Sequence, residues 1–438
     1  MLHNKRLLLT VVVSVALALP LCAIAKPPTI MVNAERLQQH LTALSKFGAN
    51  PEGGVSRVAY SDADIAGRAY VTRLMQDAGL TVRVDAAGNI IGRRAGSDAK
   101  LPAIMIGSHT DSVPSGGNYD GDLGVLGGIE VAQRLHEAGI VTRHPLEVVN
   151  FTDEEGSMAG SLAMTGKLKA ATLDVVSHSG KTIRDGIRAV GGNPEQLTAA
   201  QRHAGELTAY LELHIEQGAI LEDSKIDIGV VDGIVGIRRW DVTVNGFANH
   251  AGTTPMNKRR DALLSAAEFV LAVNGVATTM PGRQVATIGQ IRAEPGAPNV
   301  IPGKVIMTLE IRDLDADKMQ QVFEAIRSKA DEIADARRTP ISFTELELGI
   351  QPAPTSESVR PIIADAATSL GLSHLHMPSG AAHDAQDMTH IAPTGMIFVP
   401  SIGGISHSPR EYTAPAAVAN GADVLLRSVL AIDRGALD

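Results

Sequence analysis

Histidine and acidic residues follow one another closely at the end of a predicted buried strand. His109 and Asp111 close the stretch AIMIGSHTD, and Asp120 follows in the glycine-rich loop SGGNYDGDLG. Residues two apart on an extended segment face the same side. One of the pair His109 and Asp111 can therefore bind a metal ion while the other orients the imidazole. By itself, the loop is equally consistent with a polar turn that carries solvated acids.

A second group of acids ends another predicted strand, in NFTDEEGS. Here Asp153, Glu154 and Glu155 are adjacent, and their mutual repulsion must be offset by a cation or a proton. His214 in LELHIEQG and His407 in GISHSPREY add two imidazoles. Three histidines with carboxylates and no thiolate are typical ligands of Zn²⁺, Mn²⁺ or Co²⁺. Two such ions sharing a carboxylate would polarise a carbonyl and ionise a water, beside a spare carboxylate that serves as base.

The predicted elements place these residues at strand ends of an α/β sheet. From about residue 33 to 233, helical patterns such as ADIAGRAYVTRLMQDAGL alternate with strands such as AIMIGSH and LEVVNFTDEE. Residues 235–348 then read β-α-β-β-α-β, the ferredoxin-like order. We therefore predict a catalytic domain in two parts, 26–234 and 349–438, and an inserted smaller domain between them.

Composition excludes several other classes of protein. The 438 residues are 44% hydrophobic and 20% charged, which is typical of globular proteins. The net charge of −9 and the lack of a basic stripe argue against a nucleic-acid partner. Cys22 is the only cysteine, so the chain has neither a disulfide framework nor a cysteine metal cluster.

The N-terminal segment has the pattern of a secretory signal. Lys5 and Arg6 precede an apolar stretch that ends near Leu21, and Ala23-Ile24-Ala25 follows. The apolar stretch is shorter than the roughly 20 residues that a membrane span needs, so we expect no stable membrane anchor. We predict a signal peptide over residues 1–25, cleavage after Ala25 and a periplasmic or secreted protein.

Seven stretches together resemble the hydantoinase/carbamoylase branch of the M20 metallopeptidases. They are GSHTDSV, NYDGDLGVLGGIE, FTDEEGS, LELHIEQG, NGFANHAGTTPM, PNVIPG and GISHSPREY, and they run in order along nearly the whole mature chain. This branch contains N-carbamoyl-L-amino-acid hydrolases, β-ureidopropionases and allantoate amidohydrolases. The resemblance implies a binuclear-metal α/β catalytic domain with an inserted lid that also forms a homodimer.

The resemblance also implies a role for each matching residue. Asp120 would bridge two metal ions, Glu154 would be the general base, and Asp111 would be the acid behind His109. The ligands it implies for the two divalent ions (Zn, Mn or Co) are His109, Asp120, Glu155, His214 and His407.

A further set of residues would contact the substrate, a small ureido or N-carbamoyl acid. Gln217 would offer an amide, and His250 would reach the partner subunit's site to stabilise the oxyanion. Asn299 and Arg312 would hold the substrate carboxylate, for which a planar guanidinium is well shaped. His383 in GAAHDA matches a histidine of the substrate site. Judged from the residues alone, Arg312 could also be paired with a neighbouring aspartate.

Two departures from the family pattern concern the substrate pocket. The usual EEGSRF has Met158-Ala159 here, and the usual GAGHDA has Ala382 in place of a glycine.

The matching stretches together predict hydrolysis of the carbamoyl C–N bond of N-carbamoyl-L-amino acids. Alternatives are allantoate or another ureido acid, then an acylamino acid or dipeptide, and finally a periplasmic binding protein without catalysis.

Overall fold

The computed structural model describes residues 30–346 and 350–437. The predicted signal peptide lies outside these residues. Along the described chain, the strands are β1 (Thr81–Val84), β2 (Ile90–Arg94), β3 (Ala103–His109), β4 (Leu146–Phe151), β5 (Leu207–Ile215), β6 (Ile228–Ile234), β7 (Gly236–Asn245), β8 (Asn249–His250), β9 (Val285–Glu294), β10 (Val300–Ile301), β11 (Lys304–Asp313), β12 (Ile341–Leu346), β13 (Ala353–Pro354), β14 (His374–Ser379) and β15 (Thr394–Val399).

Helices connect these strands in the alternation that the sequence predicts. Those of the described residues are α1 (Ala34–Leu44), α2 (Asp62–Asp77), α3 (Asp122–Glu137), α4 (Ala159–Met164), α5 (Ile183–Ala189), α6 (Ile220–Ser224), α7 (Ala262–Thr279), α8 (Ala316–Arg337), α9 (Val359–Ser369), α10 (Asp384–Met388) and α11 (Pro415–Asp433).

The larger sheet follows the order β1-β2-β4-β3-β5-β15-β6-β13, and β14 also pairs with β6. Its centre is parallel, since β3 pairs in parallel with β4 and β5, and β15 with β5. Both faces are covered, as predicted for an α/β sheet. Ile106 of β3 lies close to Gly128 of α3, while Met105 points into the core that holds Met164 of α4 and Met388 of α10.

The smaller sheet has the order β12-β7-β11-β9, with antiparallel pairing throughout. The predicted β-α-β-β-α-β sequence is therefore present as β7, α7, β9, β11, α8 and β12. One face is buried under α7 and α8 through residues such as Trp240, Leu309 and Phe269. The chain leaves the larger sheet after β6 and returns to it at β13. The predicted domain boundaries stay a prediction.

Among the described residues, α7 and α11 are long and apolar enough to cross a membrane by length and composition alone. Helix α11 is 61% buried, as expected of a helix that packs in the core of the described chain. Helix α7 is 28% buried, so much of its apolar surface is open in the single chain.

Candidate metal centre

The loop between β3 and α3 brings the first predicted ligands together. His109 ends β3, and Gly121 precedes α3 with a φ of 67°. A Cβ atom at Gly121 would lie 2.4 Å from Cε1 of His109, so only glycine allows the loop to pass this close to the imidazole. The glycine-rich sequence of the loop therefore has a direct steric reason.

A buried arginine, which the sequence analysis did not identify, anchors this loop. Arg57 Nη2 donates to both oxygens of Asp122, at 2.7 and 2.6 Å. Its Nε donates to the Thr110 carbonyl, and Nη1 donates to the carbonyls of Leu44 and Phe47 at 3.0 Å each. All three guanidinium nitrogens are thus engaged as donors. Arg57 joins the end of α1 to both ends of the loop.

Asp120 lies between two histidines that come from different strands of the larger sheet. Its Oδ1 is 3.6 Å from His109 Nε2 and 3.2 Å from His214 Nε2. His214 lies on β5, which is the strand beside β3. The three side chains form one group whose ligand atoms all lie within 4.8 Å of one another.

The second oxygen of Asp120 faces a second group. Oδ2 is 3.4 Å from His407 Nε2, and the same nitrogen is 3.3 Å from Glu155 Oε1. These three side chains also have ligand atoms within 4.8 Å of one another. Glu154 Oε2 lies 3.5 Å from His109 Nε2. The structure therefore brings the five predicted ligands and the predicted base together, with Asp120 common to both groups.

The hydrogen bonds of two imidazoles fit metal binding at Nε2. His109 Nδ1 is 3.0 Å from the Asp111 carbonyl, and His214 Nδ1 is 2.8 Å from the Ile215 carbonyl. A carbonyl accepts, so Nδ1 carries the proton and Nε2 presents a lone pair in the neutral ring. His109 Nε2 is buried without a hydrogen-bond partner among the described residues, whereas His214 Nε2 accepts the Gly121 N–H. Divalent ions of the Zn, Mn or Co type suit this set of imidazoles and carboxylates.

The pKa values of the clustered side chains also indicate that the site favours positive charge. Burial, together with the charges of Glu155 and Asp384, raises the pKa of Glu154. Burial opposes ionisation of Asp120, but the imidazoles of His214, His407 and His109 keep its pKa below the ordinary value. Hydrogen bonding to Asp120 and Glu155 raises the pKa of His407 to about 10. The cluster of carboxylates therefore attracts protons or cations.

The position of Asp111 differs from the prediction in one respect. The resemblance implied that its carboxylate stands behind His109, but that imidazole bonds to the main-chain carbonyl of Asp111, and the carboxylate lies 3.9 Å from Nδ1. The carboxylate instead accepts the N–H groups of Glu154 and Glu155 at 3.3 and 3.1 Å. Asp111 thus holds the loop that carries the predicted base and one ligand.

Other side chains hold Asp120 itself. Glu411 Oε1 accepts the N–H groups of Tyr119 and Asp120 at 2.9 and 3.1 Å, and Ser406 Oγ is 2.8 Å from both Glu411 Oε2 and Asp120 Oδ2. Gln217, predicted to contact substrate, donates its amide N–H to Asp120 Oδ2 at 2.7 Å. Glu411 was not among the residues predicted from the sequence, although it belongs to the same SHSPREY stretch as His407.

His383 lies behind His214 and is fully buried. The two rings meet edge to face with centroids 4.5 Å apart, and His383 Nε2 is 2.8 Å from Ser379 Oγ. Burial lowers the pKa of His383 well below its ordinary value. The buried Glu212, which the sequence analysis also missed, completes a third group with His214 and His383. His383 is therefore placed beside a predicted ligand.

The remaining predicted residues belong to the segment around the smaller sheet. His250 and Asn299 are both exposed and adjacent, because His250 pairs with Val300 and the Ala251 N–H donates to the Asn299 carbonyl at 3.0 Å. Arg312 lies at the end of β11. Its Nε donates to Glu310 and its Nη1 to the Gly380 carbonyl, at 2.7 and 2.8 Å. Among the described residues, neither His250 nor Asn299 has a hydrogen bond or ion pair to the five ligands.

Comparison with known proteins identifies the family. The family model described as Peptidase family M20/M25/M40 matches residues 105–431. The chain is a member of this family. An N-carbamoyl-L-amino acid amidohydrolase of Geobacillus stearothermophilus is 41% identical over 410 residues, which are 92% of this chain and 100% of the relative. A ureidoglycolate hydrolase of Arabidopsis thaliana is 39% identical over 409 residues, 91% of this chain and 86% of the relative.

Solved structures of the M20 family agree with this assignment. A hydantoinase/carbamoylase family amidase from Burkholderia multivorans has a TM-score of 0.86 at 38% identity, covering 92% of this chain and 98% of that protein. The resemblance predicted from the sequence is thus confirmed, and the chain is a hydrolase of the M20 carbamoylase type. M20 enzymes depend on metal, in agreement with the groups around Asp120.

The two departures from the M20 pattern lie next to the site. Met158 has a φ of 53° and directly precedes α4, three residues after Glu155, and Ala159 is the first residue of that helix. Ala382 directly precedes the buried His383. Neither position supplies one of the predicted ligands.

Proposed function

We propose that this chain is a metal-dependent amidohydrolase that cleaves the carbamoyl C–N bond of N-carbamoyl-L-amino acids. The observation that carries the proposal is the shared Asp120, whose two oxygens face two separate groups of predicted ligands. His109 and His214 would hold one ion, Glu155 and His407 the other. Two bound ions would supply Lewis-acid polarisation of the carbonyl and a water of lowered pKa.

Glu154 would carry the proton transfers. Its carboxylate lies 3.5 Å from His109 Nε2, beside the predicted metal position, and Asp111 fixes its main chain. Glu154 would take a proton from the attacking water and deliver it to the leaving amino-acid nitrogen as the C–N bond breaks. The products are the amino acid and carbamic acid, which decomposes to CO₂ and ammonia.

Arg312 and Asn299 would hold the substrate carboxylate, and His250 would stabilise the oxyanion. Two main-chain N–H groups, of Gly252 and Thr253, donate to His250 Nδ1 at 3.0 and 3.2 Å. The neutral ring therefore carries its proton on Nε2, where it can donate to a developing oxyanion.

His250 is exposed in the single chain, as expected for a residue that reaches into the active site of the partner subunit. Homodimerisation would use the apolar outer surface of the inserted unit. Leu271 of α7 is 73% exposed, and Val285 and Ile291 on the edge strand β9 are also open. A two-fold contact through these elements would cover them.

A ureido acid such as ureidoglycolate is the second candidate substrate. It is favoured by the identity of 39% with the Arabidopsis thaliana ureidoglycolate hydrolase. Both candidates carry a ureido group and a carboxylate, so the same ligands, base and arginine would serve either reaction.

The experiment is a substrate screen with separate assays for ammonia and for free amino groups. N-carbamoyl-L-amino acids, ureidoglycolate, allantoate, N-acetyl amino acids and dipeptides are tested with Mn²⁺, Co²⁺ or Zn²⁺, and again after chelation. We expect ammonia from N-carbamoyl-L-amino acids, lost on chelation and restored by metal. Cleavage of N-acetyl amino acids or dipeptides alone, or full turnover in metal-free protein, would refute the proposal.

A further inference from the structure

The open face of the smaller sheet carries a chain of three charged residues. In a strand, alternate side chains face the same side, and Val305, Leu309 and Ile311 of β11 point into the core under α7 and α8. Glu310 and Arg312 therefore lie on the opposite, uncovered face. Arg239 of β7 is directly opposite Glu310 in the register of the two strands, so it lies on that face as well.

The carboxylate of Glu310 accepts hydrogen bonds from two arginines. Its Oε1 accepts from Arg312 Nε at 2.7 Å, and its Oε2 accepts from Arg239 Nε at 3.0 Å and also from Arg239 Nη2. Burial opposes the ionisation of Glu310, but Arg239 and Arg312 keep its pKa below the ordinary value. The carboxylate is therefore charged at neutral pH and held from both sides.

The contacts of Arg312 fix the direction of its guanidinium. Nε is held by Glu310, and one N–H of Nη1 is held by the Gly380 carbonyl, three residues before His383. The other three N–H groups, on Nη1 and Nη2, have no acceptor within the described residues. Those two nitrogens form the edge that can donate in parallel to a carboxylate.

We propose that Glu310, held in place by Arg239, is a positioning residue that aims the Nη1–Nη2 edge of Arg312 at the substrate carboxylate. The inference rests on the proposed function, in which Arg312 contacts that carboxylate. Without Glu310, the long side chain of Arg312 regains several rotamers, and binding the substrate must then order it again. Without Arg239, the carboxylate of Glu310 is no longer held in one position, and it can bind Arg312 in other orientations.

The test measures KM and kcat for an N-carbamoyl-L-amino acid and for its carboxamide analogue. We expect Glu310→Ala to raise KM for the carboxylate substrate about tenfold, equivalent to about 1.4 kcal/mol, with kcat within about twofold of wild type. The carboxamide should show no comparable rise. Arg239→Met should change KM in the same direction, and it provides an independent variant if Glu310→Ala folds poorly. Glu310→Gln should restore part of the loss, because an amide oxygen still accepts from Arg312 Nε.

A double-mutant cycle separates positioning from a structural role. In an Arg312→Ala background, Glu310→Ala should add nothing, because the group that it orients is gone. The matched control is Glu345→Ala, which removes the partner of Arg238 between β7 and β12 in the same sheet. It should leave both KM values unchanged.

An equal loss in both backgrounds, or an equal rise for the carboxamide, would overturn the positioning role while leaving Arg312 as the carboxylate contact. If Arg312→Ala itself does not distinguish carboxylate from carboxamide, the carboxylate contact in the proposed function fails, and the positioning role fails with it.

Discussion

The buried Arg57 offers the sharpest test of how the site is built, through the substitution Arg57→Met. Methionine fills much of the volume of the arginine stem but supplies no donor, so it removes the hydrogen bonds that Asp122 and three main-chain carbonyls accept from Arg57. Both side chains of the ion pair are 1% exposed. Removing one partner of a buried ion pair costs about 3–5 kcal/mol. We expect the free energy of unfolding to fall by about this amount.

The assay is urea unfolding followed by circular dichroism, with metal removed from every variant so that ion binding does not add to the stability. The control is Arg188→Met, which breaks the exposed ion pairs of Arg188 with Asp185 and Glu195 and should not shift the transition. Because Arg57 joins both ends of the loop that carries His109 and Asp120, the folded variant should also bind metal more weakly. A loss below about 1 kcal/mol would refute the view that this fork holds the loop, since it would match a surface ion pair.

Three further predictions address catalysis, subunit sharing and export. Glu154→Gln should keep its metal content but lose about 10²–10⁴ in kcat, the usual contribution of general acid–base catalysis, and loss of metal would instead point to a ligand role. Inactive Glu154→Gln and His250→Ala homodimers, once unfolded and refolded together, should recover about a quarter of wild-type ammonia release, because half the dimers are mixed and each has one complete site. No recovery in dimers proven to be mixed would contradict subunit sharing. Mass spectrometry of protein exported from a bacterial host should find Lys26 at the N-terminus, and an uncleaved chain would contradict the signal peptide.

Much of the fold could be predicted because its long elements have clear periodicity. Helices such as α2 and α8 and the apolar strands β3 and β4 lie where the patterns placed them. Helices α4 and α10 have six and five residues, which is too short for a helical period to be distinguished from a loop. Their place on the second face of the larger sheet follows from packing against residues far away in the chain.

The ligands of the candidate site could be predicted for a different reason. His109 and His214 end or nearly end neighbouring parallel strands, and side chains that follow such strands meet at one edge of the sheet. The side chains that support them carry no comparable local signal. Glu411 holds the main chain of Tyr119 across 292 residues, and no pattern near either residue indicates the partner.

Supporting residues are hidden from sequence reasoning because their value depends on burial and pairing, not on type. Arg57, Glu310 and Arg312 are all charged residues, and the ordinary expectation for a charged residue in a sequence is a solvated position on the surface. In the structure, all three guanidinium nitrogens of Arg57 donate to acceptors inside the protein, whereas Arg312 has two N–H groups engaged and three open. A buried guanidinium whose nitrogens all donate within the protein holds the fold together, while one that keeps open N–H groups retains donors for a ligand. The count of unused donors on a fixed side chain therefore separates a structural arginine from one able to bind substrate, and that count needs coordinates.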